Sequence, residues 1–435
     1  MNRKLISILI VLSGFFVSSC AKNDSQSDSP ADTSKPNILL IIADDMGLDA
    51  TPGYALGSTK PIMPNIQNLI DTGIRFTNFW ANPTCTPTRS AILTGKYGFR
   101  INMTQVGDVL STSETSLQDY LTDNSTYSNA LIGKWHLSTN ASHPNTMGVG
   151  YYAGLLSGAA QSYTDWNFTE NGQMLSSTEY MTTKFSNLAI DWLDKQSDPW
   201  FLWLAYTAPH TPFHLPPANL HTQTGLSSNQ TSIDANPLPY YMAMLEAMDT
   251  EIGRVLSSLN AEELDNTLII FIGDNGSPNQ VVQEYNSNRV KGTVYQGGIN
   301  VPLIIAGEGV TRNNSTEAAL INSTDLFATI ASIAGISVSN TNDSQSFIGL
   351  LTDENSSTRD YVYAEIGKSS GGSDYTIRNQ THKYIKFDTG TEALYNLSQN
   401  PLESPNLLHA NQLPLSDANE AIKNELLTKL AEIRQ

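Results

Sequence analysis

Asn37-Ile38-Leu39-Leu40-Ile41-Ile42-Ala43-Asp44-Asp45 joins an unbroken apolar run to two adjacent carboxylates. A run of that length with no polar alternation reads as a strand buried on both faces. Strands of this kind belong to parallel sheets covered by helices, so the segment selects an α/β architecture. Shorter apolar runs recur outward from it at 130–133, 201–206, 268–272 and 302–306. Helical spacing appears between them at 65–71, 240–259 and 325–334. This alternation predicts one large α/β domain over 36–340, with a mostly parallel central sheet flanked by helices. Ligand sites in such sheets lie at the carboxyl ends of strands, where Asp44 and Asp45 fall.

The two ends of the chain differ in character. Short strand-like pieces at 361–366, 375–379, 384–387 and 394–397 are separated by turn residues, and 418–433 has the pattern of an amphipathic helix. They predict a smaller C-terminal subdomain, 341–435, built on an antiparallel sheet, with the boundary in the polar stretch 337–360. At the start, Arg3 and Lys4 precede an apolar run from Leu5 to Val17. That run is shorter than the ~20 residues needed to span a bilayer and reads as the core of a signal peptide over 1–19. Val17-Ser18-Ser19-Cys20 resembles the lipobox of bacterial lipoproteins. The resemblance implies acylation of Cys20, a lipid anchor in the bacterial cell envelope (periplasmic or surface, with the outer membrane favoured), and contact with membrane only through that anchor. The Ser/Asp/Asn-rich stretch 20–35 would be a flexible tether. An ordinary secretory signal is the alternative.

The formal charge of −18 sets the partners the surface accepts. It repels nucleic acid and, at long range, any polyanion, although screening over ~8 Å at physiological salt limits the effect. An anionic substrate would need a concentrated local patch of cations.

Two adjacent carboxylates at a strand end repel each other unless a cation lies between them. A plain turn is the competing reading of Asp44-Asp45, but the run 268–272 ends in Gly273-Asp274-Asn275-Gly276. If both strands share a sheet, Asp44, Asp45, Asp274 and Asn275 bring three carboxylates and an amide oxygen to one edge. Oxygen ligands suit a hard divalent cation, Ca²⁺ before Mg²⁺. No histidine adjoins either cluster in sequence, which argues against zinc.

Further polar groups follow other apolar runs. The chain has two cysteines, so with Cys20 in the leader region Cys85 stands alone in Cys85-Thr86-Pro87-Thr88-Arg89. If a helix begins there, Arg89 shares a face with Cys85. Gly133-Lys134-Trp135-His136 follows 130–132; in an extended segment Lys134 and His136 point the same way. Ala208-Pro209-His210-Thr211-Pro212 follows 201–206, and its prolines would hold His210 in a rigid turn. Nearby His214 reads as structural. Lys291-Gly292-Thr293 and Gln296-Gly297-Gly298-Ile299-Asn300 form the last cluster.

Together these motifs resemble the formylglycine-dependent (type I) sulfatases of the alkaline phosphatase superfamily, from about residue 35 to about 408. The resemblance implies that Cys85 is oxidised to 3-oxoalanine (formylglycine) by a maturation enzyme, and that its hydrate attacks the sulfur of a sulfate ester. It implies Ca²⁺ held by Asp44, Asp45, Asp274 and Asn275, with position 85 completing the shell. It gives Arg89, Lys134, His136, His210 and Lys291 catalytic roles: cations that neutralise the sulfate, His210 as proton donor to the leaving alcohol, and His136 as acceptor of the hydrate's second proton. A lipoprotein outside the cytoplasm is placed to meet extracellular polysaccharide, and on that ground the expected substrate is a sulfated carbohydrate, with aryl sulfates as the other class. Gln296 and Asn300 depart from the common pattern, which has glutamate and arginine there. Two rival readings are a phosphate or phosphonate ester hydrolase of the same superfamily and an inactive glycan-binding lipoprotein.

Overall fold

The computed structural model describes residues 35–338 and 342–435. The signal-peptide segment, Cys20 and the tether as far as residue 34 lie outside the described residues. Strands in chain order are β1 (Asn37–Ala43), β2 (Ile74–Phe76), β3 (Phe79–Trp80), β4 (Ser128–Gly133), β5 (Tyr151–Gly154), β6 (Trp166–Glu170), β7 (Gln173–Ser177) and β8 (Trp200–Tyr206). They continue as β9 (Thr267–Gly273), β10 (Leu303–Gly307), β11 (Ser315–Glu317), β12 (Ile321–Asn322), β13 (Val362–Gly367), β14 (Ser373–Arg378), β15 (His382–Lys386) and β16 (Glu392–Asn396).

Ten of them form one sheet in the order β11-β2-β10-β9-β1-β8-β4-β5-β6-β7. The run read first, β1, is buried along its whole length. It sits between β8 and β9, parallel to both. β4 is parallel to β8 and to β5. The run at 302–306 becomes β10, which lies antiparallel to β9. The sheet is thus mostly parallel, with antiparallel pairings toward its edges. Apolar side chains alternate to either face of β1: Leu39 and Ile41 enter one core cluster, and Ile38, Leu40 and Ile42 the other. The helix Leu238–Ser258 covers the first face, and the helices Cys85–Thr94 and Asp325–Ile333 the second.

Register places the site. Ala43 pairs with Tyr206 and with Gly273, and Gly133 pairs with Ala205. The carboxyl ends of β1, β4, β8 and β9 therefore finish level on one edge of the sheet, and every candidate motif but two follows directly from one of these strands. The exceptions are the helix starting at Cys85 and the segment carrying Lys291.

The C-terminal sheet is antiparallel in the order β13-β14-β15-β16. Each of the last three strands begins two residues earlier than its apolar run, because the polar residues Ser373, His382 and Glu392 pair in the ladder. The helix Asp417–Ile433 closes this sheet, burying Leu426 and Leu430 against it. The described residues fall in one compact unit. Trp80, Ile299, Leu320, Val362 and Ala364 pack together where the C-terminal sheet meets the main domain. No helix among the described residues is long and apolar enough to cross a membrane.

Candidate active site

Asp44 and Asp45 leave the end of β1 fully buried, with Asp45 in the left-handed region at φ 74°. This turn aims the Asp45 backbone N–H at Asp274 Oδ1, 3.1 Å away. The clusters after β1 and β9 are therefore stitched together as the adjacent parallel strands require. Asn275 Nδ2 donates to Asp45 Oδ1 at 2.8 Å, and Lys291 Nζ to Asp45 Oδ2 at 2.6 Å. Burial pushes the Asp45 carboxyl up, but Lys291 and His210 outweigh it and hold it below its usual value.

Arg89 lies on the helix Cys85–Thr94, four residues from Cys85 as the helical reading required. Its Nε and Nη2 both donate to Asp274 Oδ2, at 3.1 and 2.7 Å, and its Nη1 to Lys134 O at 2.6 Å. Lys134, with no exposed surface, donates to Asp44 Oδ2. Burial and the neighbouring Asp44 carboxylate push the Asp274 carboxyl up. Four buried charges in close pairs avoid the several kcal/mol each would cost alone.

Cys85 Sγ stands 3.1 Å from His136 Nδ1. Burial raises the thiol. Burial, and then Lys134, Arg89, His210 and Lys291, push His136 down to about 2, so the ring is neutral. The extended reading of 134–136 is corrected here. β4 ends at Gly133 (φ 115°), where a Cβ would meet Ala205 O at 1.9 Å, and His136 is left-handed at φ 58°. Lys134 and His136 reach one site through this tight turn, not through strand alternation. His136 N–H donates to Leu156 O and Thr86 Oγ1 donates to His136 O, both at 3.2 Å, so its backbone is tied on both sides.

His210 follows β8 in a turn closed by its N–H to Thr207 O at 2.8 Å. Its Nδ1–H donates to Thr211 O at 2.8 Å, and its Nε2 lies 3.8 Å from Asp45 Oδ2. Asp44, Asp45 and His210 form one group able to share an ion, and Asp44, Cys85 and Asp274 another, with ligand atoms within 4.8 Å in each. A histidine does adjoin the acid cluster in space, where the sequence offered none. His214 is held structurally: its Nε2 meets Tyr180 OH at 3.1 Å, and its ring lies against Tyr163 with centroids 4.2 Å apart at a tilt of 36°.

The donor set fits a hard cation. Asp44 Oδ1 and Asn275 Oδ1 are buried and have no hydrogen-bond partner among the described residues. Lone oxygens in that setting are costly unless positive charge meets them. Oxygen ligands predominate around this point, as Ca²⁺ or Mg²⁺ would require.

Gln296 and Asn300 sit away from this cluster. Gln296 Oε1 accepts from Trp80 Nε1 at 3.0 Å, and Asn300 Nδ2 donates to Thr77 O at 3.1 Å. Their neutral side chains pack between domain core and C-terminal sheet, and the charge there comes from another pair. Lys383 Nζ donates to Glu403 Oε1 at 2.7 Å, Glu403 Oε2 accepts from Gln296 N at 2.8 Å, and Glu403 O accepts from Arg289 Nη1 at 2.9 Å. The C-terminal sheet thereby braces the segment that carries Lys291. Sequence reading missed this brace. It also missed Tyr163, whose OH donates to His210 O at 2.7 Å, and Gly158, where a Cβ would lie 2.3 Å from His136 Cε1. Neither belongs to a motif, and no local signal marks them.

An acid cluster, a lone thiol and buried cations at the carboxyl edge of such a sheet define a hydrolase for anionic esters. The chain matches the family described as Sulfatase over residues 36–336, and that described as N-sulphoglucosamine sulphohydrolase, C-terminal, over 289–435. It belongs to the sulfatase family and is a sulfatase. Arylsulfatase G of Mus musculus is 27% identical over 397 residues, which cover 77% of this chain and 71% of that protein. N-acetylgalactosamine-6-O-sulfatase of Bacteroides thetaiotaomicron is 22% identical and covers 96% of this chain and 98% of its own. Among solved structures, Ps i-CgsB with k-i-k-neocarrahexaose superposes at TM-score 0.78 with 24% identity, covering 92% of this chain and 94% of that one. A protein solved with its substrate D-glucosamine-2-N,6-O-disulfate superposes at 0.76 with 21% identity, covering 92% and 98%.

Proposed function

We propose that the protein hydrolyses sulfate monoesters of carbohydrate, with Cys85 matured to formylglycine and a divalent cation, Ca²⁺ first, bound by Asp44, Asp45, Asp274 and Asn275. The observation that carries this reading is the 3.1 Å approach of Cys85 Sγ to a neutral His136 beside the paired cations and acids. The carbohydrate part rests on relatives: one is named for a galactosamine sulfate, and two neighbours were solved with sugars.

The cation, when bound, supplies Lewis-acid polarisation of the sulfate oxygens and orients the hydrated aldehyde. The chain's residues do the rest. Lys134 and Lys291, paired with Asp44 and Asp45, supply fixed positive charge beside the ester site, where preorganised electrostatics is usually the largest catalytic contribution. Arg89, doubly bonded to Asp274, keeps that carboxylate and the start of the helix in register. His136 offers a ring nitrogen that takes the proton released at position 85. His210 keeps Nδ1–H on Thr211 O, so Nε2 is the atom that carries a second proton to the departing alcohol oxygen.

The test is sulfate release by protein produced with a formylglycine-generating maturation enzyme, beside Cys85→Ser produced in a host that leaves serine unmodified. The mature enzyme turns over and the variant does not. Sustained multiple turnover by Cys85→Ser would contradict the scheme. Membrane anchorage through Cys20 is part of the same proposal, read out by acyl labelling of the full chain.

A further inference from the structure

Beside the acids lies a cavity of about 320 Å³ whose charged side chains are Asp45 and Lys291, already paired at 2.6 Å. The rest of its wall is neutral and, apart from Pro278, polar. Asn279, Gln280, Ser287 and Asn288 line it; they are exposed, and their side chains form no hydrogen bond among the described residues. Each amide offers two donors and an acceptor, and the hydroxyl offers both. A wall of this kind pairs with hydroxyl groups.

The wider rim has little positive charge to spare. The stretches 135–183 and 196–253, which contain the loops following β4, β5 and β8, include no Lys or Arg. In the segments after β1 and β9, the cations are Lys60, Arg289 and Lys291. Lys60 is held by the carbonyls of Leu48, Asp49, Thr51 and Leu56. Arg289 donates to Glu403 O and stacks over the Tyr295 ring at 4.5 Å. Lys134 and Arg89 are committed to Asp44 and Asp274. The cations at this edge are thus matched to one sulfate and to the acids that would hold a metal. A second anionic group on the bound ring would meet neutral amides inside a protein of charge −18.

We infer that the ring bearing the scissile sulfate is otherwise uncharged: a neutral, hydroxyl-rich sugar recognised by Asn279, Gln280, Ser287 and Asn288, with no second sulfate and no carboxylate. This rests on the sulfatase reading above and narrows its substrate class. Selectivity has a physical basis, because a wall of uncommitted amides gains hydrogen bonds from hydroxyls and offers no ion pair to a second anion.

The experiment uses the full matured chain, with modification at position 85 verified by mass, and aryl sulfate as a control. The probes are methyl hexosides carrying one sulfate at each ring position, the same rings with a second sulfate, and the matching uronates with one sulfate. A neutral monosulfated ring should give kcat/KM at least tenfold above its disulfated and uronate counterparts. Gln280→Ala should raise KM for it with kcat nearly unchanged, and Asn288→Lys should narrow the gap to the disulfated ring at least threefold. Equal or higher kcat/KM for a disulfated or uronate ring overturns the inference, as does turnover of aryl sulfate alone or indifference of both variants. Failure of every probe and of aryl sulfate overturns the sulfatase reading itself.

Discussion

Cys85 Sγ and His136 Nδ1 are 3.1 Å apart, although 51 residues separate them in the chain. The contact needs a helix that begins at Cys85, a strand that ends at Gly133, and a left-handed turn at His136 that swings the ring back over the helix. The loop of Leu155 and Leu156 holds the other side of that turn through Trp135 N–H and His136 N–H.

Gly158 leaves the space the His136 ring occupies. Gly158→Ala would bring a Cβ to 2.3 Å from Cε1 and 2.4 Å from Nε2, so the ring must shift. Displacements of about 1 Å in a catalytic group cost on the order of 10²-fold in rate. The expected result is a fall in kcat of that order with a nearly unchanged melting temperature, measured by sulfate release and circular dichroism.

The Lys383–Glu403 pair is buried, at 0% and 1% side-chain exposure. Glu403→Gln leaves the lysine without its counterion and should cost about 3–5 kcal/mol in urea unfolding. Lys383→Met combined with Glu403→Gln should recover much of that loss. A double variant as unstable as the single one would mean that the charge pair is not the source.

His214 supplies a pH dependence. Burial pushes it down to about 4 from its ordinary 6.5. Above pH 6.5 both folded and unfolded chains carry it neutral. Between 6.5 and 4 the unfolded chain binds the proton and the folded chain does not, so stability falls as pH falls, by about 3 kcal/mol at full development. Unfolding at pH 7 and at pH 4.5 measures this, and His214→Gln should flatten that part of the slope.

Divalent cation should stabilise the fold as well as support turnover. Adding Ca²⁺ to chelator-treated protein at 100 times its dissociation constant should raise stability by about 2.7 kcal/mol. Asn275→Ala removes one of the two oxygens of the acid cluster, Asp44 Oδ1 and Asn275 Oδ1, that lack a partner among the described residues, and should weaken Ca²⁺ binding at least tenfold in calorimetry. An unchanged affinity would exclude Asn275 from the site.

Much of this architecture was legible because its signals are local. An unbroken apolar run such as 37–43 identifies a doubly covered strand without its neighbours, and the prolines around His210 mark a strand-end turn. The short outer strands β2, β5, β6, β7 and β11 were not legible. They pair for as few as two residues, and their sequences carry no alternation long enough to read. The need for glycine at position 158 and the partner of Glu403 were not legible for a different reason: a glycine is required only because a particular ring sits above it, and the Glu403 carboxylate meets Lys383 of β15 only because folding buries the two together.

From composition and spacing alone came the inventory: which strands are buried, which residues can ligate, neutralise or transfer a proton, and the likeness to a known family. Tertiary structure decided their convergence. β1, β4, β8 and β9 finish level because parallel neighbours must run in the same direction and register, and long crossover connections carry residues far apart in sequence to that one edge. The packing of the folded chain also set how each cation is committed, because pairing among buried charges depends on distances that no linear spacing encodes.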